Sequence, residues 1–154
     1  MTDDTLTTAL AGLFDRASDS FGICVLELQP AQLLSVVQRL HSEFGFRLLL
    51  DITAVDHVAR QPRFDVVYHL LSPQHKKRVR LKLQVPEDAP NVPTLTTIFG
   101  SARFIERETH DMYGIKFEGN KDLRPILLYE GFVGHPLRKD YPMEQEQPIV
   151  PYRK

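Results

Sequence analysis

Between Ala31 and Phe44 the apolar residues Leu33, Leu34, Val37, Leu40 and Phe44 recur at three- and four-residue spacing, which predicts a helix with one buried face. Pro30 stands at its start, where a missing N–H costs nothing, and Gly45 is the expected left-handed cap. A weaker helical pattern, Leu6, Leu10, Leu13 and Phe14, covers residues 5–19. Val79, Leu81, Leu83 and Val85 alternate with Arg80, Lys82 and Gln84, so this strand is predicted to have one buried and one basic, wet face. Ile23–Leu28 and Phe64–Leu71 also read as strands. The run from Phe46 to Val55 is apolar enough to predict a strand covered on both faces. Beyond the stiff connection at Pro86, Pro90 and Pro93, a short helix is predicted over Thr94–Phe99. A longer one runs from a Ser101 N-cap to a stop at Gly114. The irregular mixture predicts an α+β fold with a mixed or antiparallel sheet packed with helices.

The pattern changes after residue 114. Residues 115–154 hold five of the eleven prolines and three glycines, so no regular element runs far. Yet 15 of these 40 residues are apolar, more than a solvated tail carries. The expected organisation is an α+β domain over 1–114 and an extended arm over 115–154, lying on its own body or on another chain.

Composition narrows the chemistry. A single cysteine, Cys24, excludes an internal disulfide and a self-contained iron–sulfur cluster. No apolar run reaches the roughly 18 residues that read as a membrane span. The acidic start Met1-Thr2-Asp3-Asp4 lacks a signal-peptide pattern, and a reducing, cytoplasmic-type compartment is expected. Nucleotide, P-loop, nucleophile-elbow, C-x-x-C and H-E-x-x-H motifs are all missing. Glu106 and His110 offer two ligands on one helix face, short of a metal set. They read instead as an i,i+4 pair, as do Arg107 and Asp111.

Charge is unevenly spread beneath a net value of -1: residues 71–86 carry five Lys/Arg and no acid. This strip, His75 to Lys82, has three readings: a solvated face that guards a strand edge, a docking site for an acidic protein, or a phosphate binder. In the next dense segment Phe104, Glu108 and Met112 share a helical face, which predicts Glu108 in an apolar stripe. A carboxylate there needs a cationic partner, with Arg124, Arg138 and Lys139 as candidates.

Those residues also carry a resemblance. Glu106-Arg107-Glu108-Thr109-His110-Asp111-Met112-Tyr113-Gly114-Ile115 resembles the E-R-E-x-x-D-M-[FY]-G-I signature of the C subunit of NADH-quinone oxidoreductase, the thirty-kilodalton subunit of respiratory complex I. Phe117-Glu118-Gly119, Asp122-Leu123-Arg124 and Gly134-His135-Pro136-Leu137-Arg138-Lys139-Asp140-Tyr141-Pro142 continue the pattern. Upstream, Asp51–Asp56, Phe64–Leu70 and Val85–Asp88 match as well. Phe104 and Phe132 stand where the family often has tryptophan, Thr109-His110 where it has Val-Tyr or Val-Trp, and Arg124-Pro125 where it has two arginines.

The resemblance implies a non-catalytic scaffold subunit of the peripheral arm of a proton-translocating NADH:quinone oxidoreductase, at the cytoplasmic face of the inner membrane. It implies no cofactor in this chain, with FMN and iron–sulfur clusters in partner subunits. The implied partners are the 49-kilodalton-type D subunit and the cluster-bearing B and I subunits, with no nucleic acid. Glu106, Arg107, Glu108 and Asp111 form the expected charged constellation. Arg124, Arg138, Lys139 and Asp140 are expected to orient the arm, with Tyr113, Gly114, His135 and Tyr141 beside them at the interface. Three rivals remain: the equivalent subunit of a membrane-bound hydrogenase, an acid–base enzyme using His110 and Asp111, and an RNA-binding module on residues 75–82.

Overall fold

The computed structural model describes residues 3–149. Helix α1 (Asp3–Ala9) leads into the hairpin β1 (Arg16–Ser20) and β2 (Ile23–Leu28), then a 3-10 turn (Pro30–Gln32) and helix α2 (Leu33–Ser42). Strands β3 (Leu48–Asp56), β4 (Phe64–Ser72) and β5 (Lys77–Val85) follow, then β6 (Asn91–Pro93), helix α3 (Ala102–Tyr113) and β7 (Lys116–Glu118). The main sheet has the order β1-β2-β5-β4-β3, with β2 and β5 parallel and the other pairs antiparallel. Strands β6 and β7 pair in parallel as a second small sheet. The α+β fold class is as expected.

One sheet face holds the core. Leu26, Leu81, Tyr68 and Ile52 stand in register across β2, β5, β4 and β3 and are all buried. Leu6 and Leu10 of the N-terminal segment and Leu33, Val36, Val37 and Leu40 of α2 belong to the same buried cluster. Gly45 adopts a left-handed conformation (φ 67°), which lets the Phe46 N–H return to the Leu40 carbonyl at 3.0 Å and stop α2. The core continues past residue 114, because Ile115 and Phe117 are fully buried.

Several local expectations are corrected. Residues 5–19 are not one helix: α1 ends at Ala9, and the polar or small run Arg16–Ser20 is a strand because β2 supplies its hydrogen bonds. Strand β3 is an edge strand rather than one covered on both faces, with Leu48, Leu50 and Val55 each more than 40% exposed. Thr94–Phe99 makes a single turn, with Ile98 and Phe99 donating to the Leu95 carbonyl, and no helix. The Ser101 side chain does not cap α3, whereas Gly114 ends it in the left-handed region as expected. The basic strip lies on β5, the central strand, so guarding a sheet edge is not its role.

Candidate assembly site on helix α3 and the arm

Helix α3 packs on edge strand β3 through a face that is polar in composition. Ala102, Glu106, Thr109 and Asp111 are its buried residues. Thr109 Oγ1 lies 2.7 Å from the Ile52 carbonyl, joining helix to strand. Glu106, 0% exposed, accepts from the Leu95 N–H (2.7 Å), the Thr94 hydroxyl (2.7 Å) and the Asn120 amide (2.8 Å). It thereby pins to α3 the segments that follow β6 and β7. Burial nonetheless holds its pKa above the ordinary value, against the lowering effect of those donors. The Tyr68 hydroxyl, also fully buried, has no hydrogen-bond partner among the described residues.

The predicted apolar stripe is therefore the wrong face. Phe104 is 59% exposed, and Glu108 beside it is exposed and forms no ion pair among the described residues. The expected Glu106–His110 and Arg107–Asp111 pairs are also absent. All four side chains are engaged elsewhere. His110 Nδ1 donates to the Ile115 carbonyl at 2.9 Å. Arg107 donates to the carbonyls of Arg124 and Pro125, both at 2.8 Å. Asp111 Oδ2 gathers the N–H groups of Ile126, Leu127 and Leu128 at 2.8, 2.9 and 3.3 Å. A carboxylate facing three successive amides is an anion in a backbone nest, and here the protein supplies its own anion to fix the arm.

Residues 135–138 complete the end of α3. The last carbonyls of a helix lack partners within it. His135 Nδ1 donates to Asp111 O (2.9 Å), the Leu137 N–H to Met112 O (3.1 Å) and Arg138 Nε to Tyr113 O (2.7 Å). Arg138 also lies over the Phe64 ring, 5.2 Å from its centroid, and a cation at a helix C-terminus is favoured by the helix dipole. Burial, followed by Arg138 and His110 and against the Asp111 carbonyl, lowers the His135 pKa.

A residue outside the predicted set anchors the next step. Arg63, 2% exposed, makes a two-pronged contact with Asp56, Nε to Oδ1 and Nη2 to Oδ2, each 2.8 Å. Its outer nitrogens also hold Asp140 (2.7 and 3.0 Å) and Glu87. The Lys139 N–H donates to Asp56 Oδ2 at 2.7 Å. Hydrogen bonds from Arg63 lower the pKa values of both Asp56 and Asp140, and the two carboxylates raise that of Arg63. Asp56 belonged to a quoted motif, but nothing in the composition around Arg63 distinguished it from the exposed arginines of a turn.

The predicted cations thus act differently from expectation, and none meets Glu108. Arg124 pairs with Asp122 at 2.7 Å on the surface and holds that carboxyl down to about 2. Lys139 contributes its backbone rather than its ammonium. Tyr141 stacks on Phe132 with ring centroids 6.2 Å apart and closes over Gly134. The described arm lies on its own body while leaving apolar side chains outward: Leu127 is 60%, Val133 58% and Leu137 50% exposed. No group of three or more potential metal ligands occurs among the described residues, and no helix there is long and apolar enough to cross a membrane.

Comparison with known proteins fits this geometry. The chain is 43% identical over 150 residues to the NADH-quinone oxidoreductase C subunit of a Methylobacterium species, covering 89% of this chain and 69% of that relative. It is 47% identical over 137 residues to the C subunit of Agrobacterium fabrum (88% and 68%) and 50% identical over 138 residues to that of a Caulobacter species (86% and 63%). A trypsin-resistant fragment of Nqo5 superimposes with a TM-score of 0.70 at 33% identity, over 79% of this chain and 98% of that one. A chain of the membrane-bound sulfane sulfur reductase, an archaeal respiratory membrane complex, superimposes with a TM-score of 0.77 at 26% identity, over 92% and 84%. With residues 26–147 matched by its family model, the chain belongs to the family of the respiratory-chain NADH dehydrogenase 30 Kd subunit.

Proposed function

We propose that the chain is a non-catalytic scaffold subunit of the peripheral arm of a proton-translocating NADH:quinone oxidoreductase, holding electron-carrying subunits in register. In this reading FMN and the iron–sulfur clusters belong to partner subunits, and the isolated chain has no turnover. The 49-kilodalton-type D subunit and the cluster-bearing B and I subunits are the neighbours, at the cytoplasmic face of the inner membrane. The supporting observation, beside the family, is an arm whose backbone is tied down while its apolar side chains face outward. Asp111, Arg107 and Arg63 fix the path of residues 124–140, and Leu127, Val133 and Leu137 remain exposed on it. Exposed apolar groups on a pre-ordered backbone bind a partner with little further loss of entropy.

Leu127→Gln tests this. The side chain is mostly in water, so stability of the full chain should change by no more than about 0.5 kcal/mol in a denaturant melt. Recovery of the chain with its partner subunits from native membranes should fall at least about tenfold. A variant that assembles at the parental level yet abolishes NADH:quinone turnover would place this surface in the chemistry and overturn the scaffold reading.

The similarity to the sulfane sulfur reductase chain favours a second reading, the same scaffold in a related respiratory membrane complex, of which the hydrogenase type is one. The chains that co-purify from native membranes decide between the two.

A further inference from the structure

The sheet face turned away from the helices carries Val25, Val67, Lys82 and Arg80 at its centre. At one end of this face the charges are satisfied internally: Asp65 receives Lys82 at 3.2 Å, His57 at 3.1 Å and Arg60. The opposite end differs. Arg78 and Arg80 form no ion pair among the described residues, and the Arg80 Nε is buried without a hydrogen-bond partner.

Two hairpin tips meet at that same end, because β2 and β5 run in parallel and Cys24 stands opposite Val79. Between them lies an open groove of about 510 Å³, lined by Ile23, Leu71 and Pro73 together with Lys76, Lys77 and Arg78. No acidic residue lines it among the described residues. Adjoining it, Phe21 occupies the first position of the two-residue β1–β2 turn with φ 54° and is 102% exposed. Such turns favour asparagine or glycine there, and a bulky residue at positive φ is a strained choice. The fold thus tolerates a conformational cost and holds an aromatic ring fully in water at the edge of the groove.

We propose that this groove docks an acidic segment of another polypeptide, with its apolar side chains on Ile23, Leu71 and Phe21 and its carboxylates on Arg78, Arg80 and Lys76. The commitment to an acidic partner rests on charge complementarity: Lys76, Arg78 and Arg80 cluster at this end in a stretch, residues 71–86, that holds no acid. The lining sets Ile23, Leu71 and Pro73 beside Lys76, Lys77 and Arg78, a mixture that a segment alternating apolar and acidic residues matches. Arginine forks donate to carboxylates in a paired geometry, and Arg78 stands exposed on the groove's lining. This surface is separate from the arm side, and its test uses the full chain alone, so either reading can fail without the other.

The probe is a fluorescein-labelled octapeptide alternating glutamate with leucine, with its lysine-for-glutamate analogue as control. Fluorescence anisotropy should show binding of the acidic peptide only, weakening with salt. The double variant Arg78→Glu/Arg80→Glu should lose affinity about tenfold or more, and Phe21→Ser should also weaken binding. Arg103→Glu, at an exposed position of helix α3, should leave it unchanged. Lys76→Glu, at the exposed hairpin tip, repeats the test should the double variant melt early. Absent binding, equal binding of both peptides, or insensitivity to the Arg78, Arg80 and Lys76 reversals would overturn the proposal. So would a chain that binds only vesicles of equal parts phosphatidylserine and phosphatidylcholine.

Discussion

Replacing Arg63 with methionine should destabilise the full chain by about 3–5 kcal/mol, the cost of breaking a desolvated ion pair from one side. The methionine leaves Asp56, whose side chain is 0% exposed, facing Asp140 and Glu87 without the guanidinium that pairs with all three. A fall in Tm of roughly 10 °C follows for a chain of this size. The double variant Arg63→Met/Asp56→Leu should recover much of the loss, since an apolar pair removes both desolvation penalties. Asp140→Asn should cost far less because that carboxylate is half exposed. Equal losses for Arg63→Met and Asp140→Asn would contradict a buried anchor at Arg63.

Acidification should act on the same cluster with a definite sign. Asp56 and Asp140 have pKa values lowered by Arg63. Their contribution is therefore complete above the unfolded carboxylate value of about 4 and is lost as pH falls through the depressed folded values. Glu106 behaves oppositely, its pKa being raised by burial. It contributes fully below its unfolded value and loses that contribution as pH rises through the folded one. Below about pH 4 the arm clasp is thus weakened while the Glu106 anchor is not. Amide exchange at Lys139, whose N–H bonds Asp56, should accelerate before exchange in β4. Simultaneous loss of both would show that arm and body unfold as one unit.

How far the sequence revealed this site varies with where the hydrophobic signal lay. Helix α2 and strand β5 were legible because Val37 and Leu40, or Leu81 and Leu83, repeat at the period of their elements and all face one core. Strand β1 was not, since Arg16–Ser20 has no apolar face and owes its conformation to pairing with β2. In α3 the periodicity pointed outward. Its apolar Phe104 faces solvent, and its buried face uses Glu106, Thr109 and Asp111, each satisfied by backbone or neighbouring polar groups. Hydrophobic pattern cannot locate a buried face made of polar residues. The motif Glu106–Ile115 singled out the helix by resemblance, but only the packing shows which of its carboxylates is buried. Arg63 lies beyond both kinds of signal, because its three carboxylate partners are 7, 24 and 77 residues away.

Gly114→Ala should be far more damaging than an alanine at another glycine of the same backbone geometry. Gly22 has φ 76° as well, with nothing within 4 Å of an added Cβ. Gly22→Ala therefore isolates the left-handed penalty, about 1–2 kcal/mol. At Gly114 the added Cβ would lie 2.5 Å from both Arg138 Nη2 and His135 Nε2. Neither group is free to swing away: His135 is held by the Asp111 carbonyl, and Arg138 by Tyr113 and the Phe64 ring. Relieving the overlap means withdrawing the donors that cap α3, adding about 1–3 kcal/mol for carbonyls left unpaired. The expected difference between the two variants in a denaturant melt is thus about 1–3 kcal/mol. It should come with faster amide exchange at Leu137, whose N–H bonds the Met112 carbonyl. Equal melts would mean that residues 135–138 do not cap the helix in solution, and the arm would then lack the fixed course on which its outward apolar surface depends.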